Sequence, residues 1–207
     1  MRSPILLLGL AALAAPLSAQ AVRVGVAGAA VRVREVTQDQ TAHGIGPALS
    51  ATYDRGRFTG TLQLVRARLT PDDSAHGTYT LTQADLRVAW HVQPALDVEV
   101  GLSRRFVSPE FATEDVGALS FGVHSSANLS SAVGVWARLA WVPVAKYNAG
   151  GSTGEAYETG LGVWVAPRGP RLRATADFSL QRLDRRAHDA ALPIQATIAR
   201  IGVEYRL

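Results

Sequence analysis

The 207-residue sequence has no cysteine, one methionine and a single lysine, Lys146. Without cysteine neither disulfide bonds nor thiolate metal sites can form, so the compartment has to be inferred from other features. The long apolar runs of a protein that crosses a membrane with several helices are also missing. With 47% hydrophobic and 18% charged residues, the chain is nevertheless too apolar to be disordered, and its length fits one domain.

Glycine and proline, by contrast, are spread along the whole chain, with 19 and 10 residues and no collagen-like period. This distribution is typical of short strands separated by turns. Basic residues exceed acidic ones by 21 to 17, but the two signs are interspersed. A nucleic-acid partner is therefore not expected, because it would require basic residues clustered on one surface.

The N-terminus predicts an export signal. Arg2 precedes an apolar stretch from Ile5 to Ala15, Pro16 breaks it, and the small-x-small triplet Ala19-Gln20-Ala21 follows. These are the basic region, apolar core and cleavage site of a secretory signal peptide, and the apolar run is too short to span a bilayer. We expect residues 1–21 to be removed and residues 22–207 to form one mature domain. The alternative is an apolar N-terminal helix of a cytoplasmic domain.

Apolar and polar residues alternate repeatedly in the mature chain. In the clearest segment the even-numbered residues from 96 to 102 are apolar, and the odd-numbered residues from 97 to 105 are charged or small. The two sets, odd and even positions along one strand, are called its two parities. The same pattern recurs at 171–181 and 200–207. A period of two indicates half-apolar strands, and no helical period appears from Val22 onward.

Extended to the whole chain, this pattern predicts ten strands, an even number that returns both termini to the same end of the sheet. The strands are predicted at 22–34, 47–54, 57–69, 79–91, 95–107, 116–125, 130–142, 156–166, 171–182 and 195–207. Short turns are predicted at 54–57, 93–94, 126–129 and 167–170, and long polar loops at 37–46, 70–78, 108–115, 143–155 and 183–193. Alternating short turns and long loops are typical of a membrane barrel.

The two parities differ in charge. At membrane depth the apolar parity carries no charged residue, and an Arg or Lys there would cost roughly 2 to 4 kcal/mol. We therefore expect an all-β, transmembrane antiparallel up-and-down β-barrel of about ten strands, with eight or twelve as alternatives. A soluble β-sandwich is the competing fold.

The final strand carries the most specific local pattern, in which Ile201, Val203, Tyr205 and Leu207 alternate with polar residues. The mature chain resembles the superfamily of small single-chain bacterial outer-membrane β-barrel proteins, and this strand is similar to the terminal signal that their barrel assembly machinery recognises. That signal usually ends in Phe, whereas this chain ends in Leu207. The resemblance implies an outer-membrane location with lipid and the assembly machinery as partners, and leaves the oligomeric state open.

Charged residues on the other parity are expected to face a narrow lumen and to neutralise one another there. The predicted network comprises Asp85, Arg87, Asp97, Glu99, Arg105, Arg138, Glu158, Arg171, Arg173, Asp177, Arg200, Glu204 and Arg206. A thin pore with weak charge preference is the alternative. Trp136 and Trp164, which share this parity, favour an obstructed lumen.

A second set of arginines has the lipid-facing parity but lies further along its strands: Arg32, Arg66, Arg68, Arg104 and Arg182. At about 3.3 Å per residue and a tilt near 40°, they lie roughly 20 to 25 Å above the first membrane residue, at the outer edge of the apolar band. Because arginine suits bidentate phosphate contacts, outer-leaflet lipid phosphate is a candidate ligand. Alternatively the strands simply leave the bilayer there, or a bulge changes the parity, as near Ala30 and Val31 in the first strand.

No residue set predicts catalysis. His124 and Ser126 resemble the His-x-Ser pair of outer-membrane lipid A deacylases, and Asp72, Asp73 and His76 resemble the rim residues of omptin proteases, but a polar pair near a turn and a solvated loop are the favoured interpretations. Cofactor motifs and metal-ligand spacings do not appear. We expect a non-enzymatic barrel with a structural, surface-interaction or narrow-channel role. The alternatives are a rim-active hydrolase, either a protease or a lipid A-modifying enzyme, and a small diffusion porin.

Overall fold

A computed structural model of the chain describes residues 20–37, 39–73, 77–108, 115–167, 171–187 and 190–207. Ten antiparallel strands form a closed barrel in which sequence neighbours pair and the first strand pairs with the last, confirming the predicted fold. The strands are β1 (Gln20–Glu35), β2 (Gln40–Arg55), β3 (Phe58–Pro71), β4 (Tyr79–Gln93), β5 (Leu96–Ser108), β6 (Val116–Asn128), β7 (Val133–Tyr147), β8 (Ser152–Val165), β9 (Leu172–Ala187) and β10 (Ala190–Arg206). The described residues include no helix long and apolar enough to cross a membrane.

The barrel has two distinct ends. Strands β1 and β10 bring both chain ends to one of them, the termini end, which also carries the connections 56–57, 94–95, 129–132 and 166–171. The opposite end, the loop end, carries the connections 36–39, 72–78, 109–115, 148–151 and 188–189. Most of the predicted signal peptide, residues 1–19, lies outside the described residues.

An apolar band surrounds the outside of the barrel. On β5 the outward side chains Val98, Val100 and Leu102 are about half exposed, and the other strands present similar residues. Near the termini end, the rings of Phe58 and Trp90 lie 5.2 Å apart on this surface. A continuous apolar exterior with aromatic residues near its edge is the surface that a barrel presents to lipid.

Between this band and the loop end, the inward face of a strand becomes apolar and its outward face becomes polar or charged. On β3, Arg66 and Arg68 point outward while Val65, Ala67 and Leu69 are buried inside the barrel. At this level the barrel has an apolar interior and a charged exterior, like that of a soluble protein. The strands therefore cross the apolar band and continue into water at the loop end.

The same exchange explains the irregular pattern of the first strand. Ala29 and Val31 are buried in the lumen and Arg32 faces outward, while β1 keeps an unbroken register with β10 from Arg23 to Glu35. The bulge considered as an alternative near Ala30 and Val31 is therefore not present in β1. The side chains keep their parity, and only the polarity of the two faces changes.

Three of the predicted long loops are largely strand. β1 and β2 pair up to Glu35 and Gln40, so most of the predicted loop 37–46 belongs to β2. The predicted loops 143–155 and 183–193 likewise shorten to connections at 148–151 and 188–189. These segments lie beyond the apolar band, where polar and charged residues such as His43, Lys146 and Arg182 also face outward and the pattern used for the prediction stops. The turn predicted at 126–129 lies instead at 129–132, because β6 continues to Asn128.

The exchange of polarity predicts how two outward positions on β3 tolerate a charge. Leu64→Arg, in the apolar band, should lower the free energy of unfolding by roughly 2 to 4 kcal/mol. Thr70→Arg, six residues further towards the loop end and exposed, should change it by about 0.5 kcal/mol or less because water solvates the new charge. Urea unfolding of the protein in lipid vesicles measures both values. Equal losses would contradict the proposed boundary.

Candidate functional site

At the loop end the lumen is filled by apolar side chains. Leu69 and Leu81 are 0% and 1% exposed, and two clusters of buried residues complete this loop-end core. The clusters comprise Ala29, Val31, Ala42, Ala48, Val65, Ala67, Leu69, Tyr79, Leu81, Val107 and Ile198, and Val116, Ala118, Val142, Ala145, Tyr147, Ala156 and Leu183. The expected network of paired charges in the lumen therefore does not extend to this end, where the enclosed side chains of the two clusters are apolar.

Towards the middle of the barrel, Arg138 joins two carboxylates. Its guanidinium donates to Glu99 from Nε and to Glu158 from Nη2, the second bond being 2.6 Å long. All three side chains are buried, and they project from β5, β7 and β8. A buried ion pair is tolerated only when its charges are mutually compensated and hydrogen-bonded, and this triad meets both conditions.

Glutamines extend the triad across the lumen. Gln181 donates to Glu158 at 2.6 Å and accepts from Arg105 at 2.5 Å. Arg105 also donates to Gln83 at 3.4 Å, and Gln83 in turn donates to Asp85 at 3.1 Å. Because a glutamine side chain both donates and accepts, it can link a carboxylate to a guanidinium.

The remaining members join this network through Arg87, whose Nη2 lies 3.7 Å from Asp85 Oδ2. Gln63 accepts from Arg87 at 3.0 Å and from Arg200 at 2.9 Å. Arg200 also forms an ion pair of 2.6 Å with Asp177. The polar belt thus comprises Gln63, Gln83, Asp85, Arg87, Glu99, Arg105, Arg138, Glu158, Asp177, Gln181 and Arg200.

The structure brings together most, but not all, of the charged residues expected to face one another. Arg171 and Arg206 are exposed at the termini end and lie outside the polar belt. Arg171 immediately precedes β9 and Arg206 is the last residue of β10. At the end of a strand, a side chain on the lumen parity can extend into solvent and is not enclosed by the barrel. The sequence interpretation missed Gln63, Gln83 and Gln181, although they share the lumen parity, because it considered only charged residues.

Between the polar belt and the termini end lies a cavity of about 490 Å³, the vestibule. Its lining includes Ser126 and Asn128, which are exposed at the termini end, so the cavity opens there. Trp136 and Trp164 form part of its wall, their indoles lying against glycines of the neighbouring strand. A side chain in place of Gly134 or Gly162 would collide with these indoles, so glycine at both positions is required for the rings to lie flat against the wall.

A chain of hydrogen bonds runs along one wall of the vestibule. The Asp97 carboxylate lies between His91 Nδ1 at 2.5 Å and His124 Nδ1 at 3.0 Å. His91 Nε2 lies 3.2 Å from the Thr59 hydroxyl, which donates to Asp54 at 2.7 Å. Asp97, expected in the lumen network, therefore has histidine partners and lies on the vestibule side of the belt.

The other residues considered for catalysis do not form one site. His124 and Ser126 both line the vestibule, remote from the loop end. Asp72 lies at the loop end and pairs with His43 at 2.9 Å, a partner that the sequence interpretation did not consider. His76 lies outside the described residues. Among the described residues, no group of three or more His, Asp or Glu side chains is arranged to hold a metal ion.

Five arginines, the arginine collar, follow the apolar band on the outward face: Arg32, Arg66, Arg68, Arg104 and Arg182. Their environments differ. Arg182 pairs with Asp184 at 2.8 Å, and Arg68 donates to Thr78 at 3.1 Å. Arg32, Arg66 and Arg104 form no ion pair with a residue that the structure describes. Lys146, which the sequence interpretation did not include, is also exposed on this face.

A closed antiparallel barrel with an apolar exterior and enclosed charges is the architecture of bacterial outer-membrane β-barrel proteins. The chain aligns over 92% of its length with 97% of the outer membrane protease OmpT of Escherichia coli, at 8% identity and a TM-score of 0.50. Ail, the attachment invasion locus protein of Yersinia pestis, aligns over 99% of its length with 91% of this chain, at 12% identity and a TM-score of 0.44.

Neisserial surface protein A aligns over 97% of its length with 89% of this chain, at 15% identity and a TM-score of 0.42. No protein-family model and no curated protein sequence matches the chain. At 8% identity the alignment with OmpT supports the fold alone. The resemblance to small outer-membrane barrels that the alternating pattern suggested is thereby confirmed at the level of the fold.

The Arg138 triad predicts a strong dependence of stability on charge balance. Arg138→Met leaves Glu99 and Glu158 buried without their cation and should lower the free energy of unfolding by about 3 to 5 kcal/mol. Adding Glu99→Gln and Glu158→Gln should recover most of that loss because no uncompensated charge remains. Denaturant unfolding in detergent micelles measures these changes. Arg206→Met, at an exposed position, is the matched control and should cost about 0.5 kcal/mol or less.

Proposed function

We propose that this protein is an outer-membrane β-barrel with a closed lumen, which acts through its lipid-facing surface and its loop end and not as a channel. The main support is the filling of the lumen by two successive layers, the polar belt and the loop-end core. A diffusing solute would have to break buried ion pairs and then displace close-packed apolar side chains. Neither layer provides a continuous polar path.

The proposed location rests on the apolar band and on the export signal predicted for residues 1–21. Cleavage after Ala21 would leave Val22, the partner of Tyr53 in the β1–β2 register, as the first residue of the mature strand. We propose that the termini end faces the periplasm and that β10 is the segment recognised by the barrel assembly machinery. The loop end would then lie at the cell surface.

A closed lumen predicts that the mature protein does not conduct ions. In planar bilayers, folded protein should give no stable unitary current in potassium chloride. A variant that combines Leu69→Ala, Leu81→Ala and Arg138→Ala removes side chains from both layers and should conduct if it folds. Flotation with vesicles and heat-dependent gel mobility establish insertion and folding in both samples. A stable ohmic channel formed by the wild-type protein would contradict the proposal.

We further propose that the arginine collar binds the phosphate groups of outer-leaflet lipid. The sharpest support comes from β5, β6 and β7, where Gly117 lies in register between Arg104 and Lys146. Arg104 extends over this glycine, since a Cβ at Gly117 would lie only 3.1 Å from Arg104 Nη1. Two cations thus flank an outward position without a side chain, where a phosphate could accept charge-assisted hydrogen bonds from both.

This second proposal predicts a difference between two quadruple variants of equal charge change. Replacing Arg32, Arg66, Arg68 and Arg104 by Gln should weaken retention of a phosphorylated glycolipid by about tenfold or more. Replacing Arg55, Arg57, Arg171 and Arg206 by Gln, all exposed at the termini end, should leave retention unchanged. The readout is lipid phosphate bound per protein after gel filtration from detergent. Equal loss in both variants, or equal retention of the same glycolipid without phosphate, would contradict specific binding.

A further inference from the structure

Most charged side chains around the vestibule have partners within the barrel. Arg23 forms a 2.7 Å ion pair with Asp54, Asp97 accepts from two histidines, and Arg138 pairs with Glu99. Partnered charges of this kind stabilise the wall but offer little to a ligand, because a ligand would have to replace a bond already made. A binding role therefore depends on the charges that remain.

Two charged residues of the vestibule, Arg173 and Glu204, form no hydrogen bond or ion pair with any described residue. They are cross-strand partners on β9 and β10, and both line the cavity. The Arg173 guanidinium lies instead over the indole of Trp164, 4.5 Å from the ring centroid. This stacking holds the guanidinium in place and leaves its edge, with the N–H donors, available.

Charges of both signs surround Arg173. Arg23 and Arg206 repel the Arg173 charge, and Glu204 and Asp54 attract it from beyond ion-pair distance. A carboxylate placed at the guanidinium edge would accept two parallel hydrogen bonds and reduce that repulsion. Glu204, in turn, can accept hydrogen bonds from an ammonium group. The two unsatisfied charges are therefore of opposite sign and lie side by side.

We propose that the vestibule binds a small zwitterion, such as a free α-amino acid, with its carboxylate on Arg173 and its ammonium group on Glu204. The cavity volume of about 490 Å³ is in the range of small-molecule sites. Trp136 offers an apolar wall for the side chain of such a ligand. Because the polar belt closes the inner end, the ligand enters and leaves only through the termini end.

The experiment uses L-leucine and two analogues of similar shape that each lack one charge, isocaproate without the ammonium group and isoamylamine without the carboxylate. Folded mature protein in detergent micelles is titrated with each compound at constant ionic strength, and tryptophan fluorescence is recorded. Trp164 and Trp136 line the vestibule, whereas Trp90 and Trp141 lie on the outer surface and supply a constant background. Leucine should give a saturable change with an affinity about tenfold or more above that of either analogue, since each lost charge removes charge-assisted hydrogen bonds.

Four variants assign the site. Arg173→Gln and Glu204→Gln should each weaken leucine binding by about tenfold or more. Arg171→Gln at the exposed termini end and Glu155→Gln at the exposed loop end should bind as the wild type does. Heat-dependent gel mobility verifies that every variant is folded. Absence of saturation, equal affinity for leucine and the singly charged analogues, or wild-type binding by folded Arg173→Gln would overturn the inference.

Discussion

The outer surface of the barrel passes from hydrocarbon to water along the barrel axis. This change determines which side chains, apolar or charged, each strand places on its outward face and on its lumen face. Within hydrocarbon every backbone group must be hydrogen-bonded, which a closed barrel achieves, and the outward side chains must be uncharged. On β3 this condition ends after Leu64, where Arg66 begins the charged exterior and Val65 the apolar interior. The same strand is thus a membrane strand at one end and resembles a soluble strand at the other.

The polar belt also bears on how strands find their register. A strand that was apolar on both faces would pair almost equally well after a one-residue slip, because neither face would be specified. In this barrel the same slip on β7 would move Arg138 into the apolar band, at a cost of roughly 2 to 4 kcal/mol. It would also separate Arg138 from Glu99 and Glu158, which are held by β5 and β8. Enclosed charges therefore specify the native alignment as well as fill the lumen.

How far the sequence predicted the structure depended on whether a segment lay within the apolar band. For β5 the predicted range 95–107 agrees with the observed range Leu96–Ser108, because most outward residues of this strand are apolar and the alternation is clear. For β2 the predicted range 47–54 is shorter than the observed range Gln40–Arg55. The missed part, near the loop end, has polar His43 facing outward and apolar Ala42 facing inward, the reverse of the pattern used for the prediction. Parity identified most of the charges that face the lumen, but it also included Arg171 and Arg206, which are exposed at the termini end. It gave no information on which arginine meets which carboxylate, since partners such as Arg138 and Glu158 depend on the three-dimensional register and on side-chain length.

The asymmetry of the lumen separates the two proposed binding surfaces. The arginine collar lies on the outside near the loop-end core, and the vestibule lies inside at the termini end, with the polar belt between them. Any coupling between lipid contacts and vestibule occupancy would have to pass through the belt, whose bonds link seven strands. Breaking one of those bonds removes a hydrogen-bond partner from an enclosed polar or charged group, which costs free energy. The belt therefore favours a single arrangement, and the two surfaces are expected to act independently.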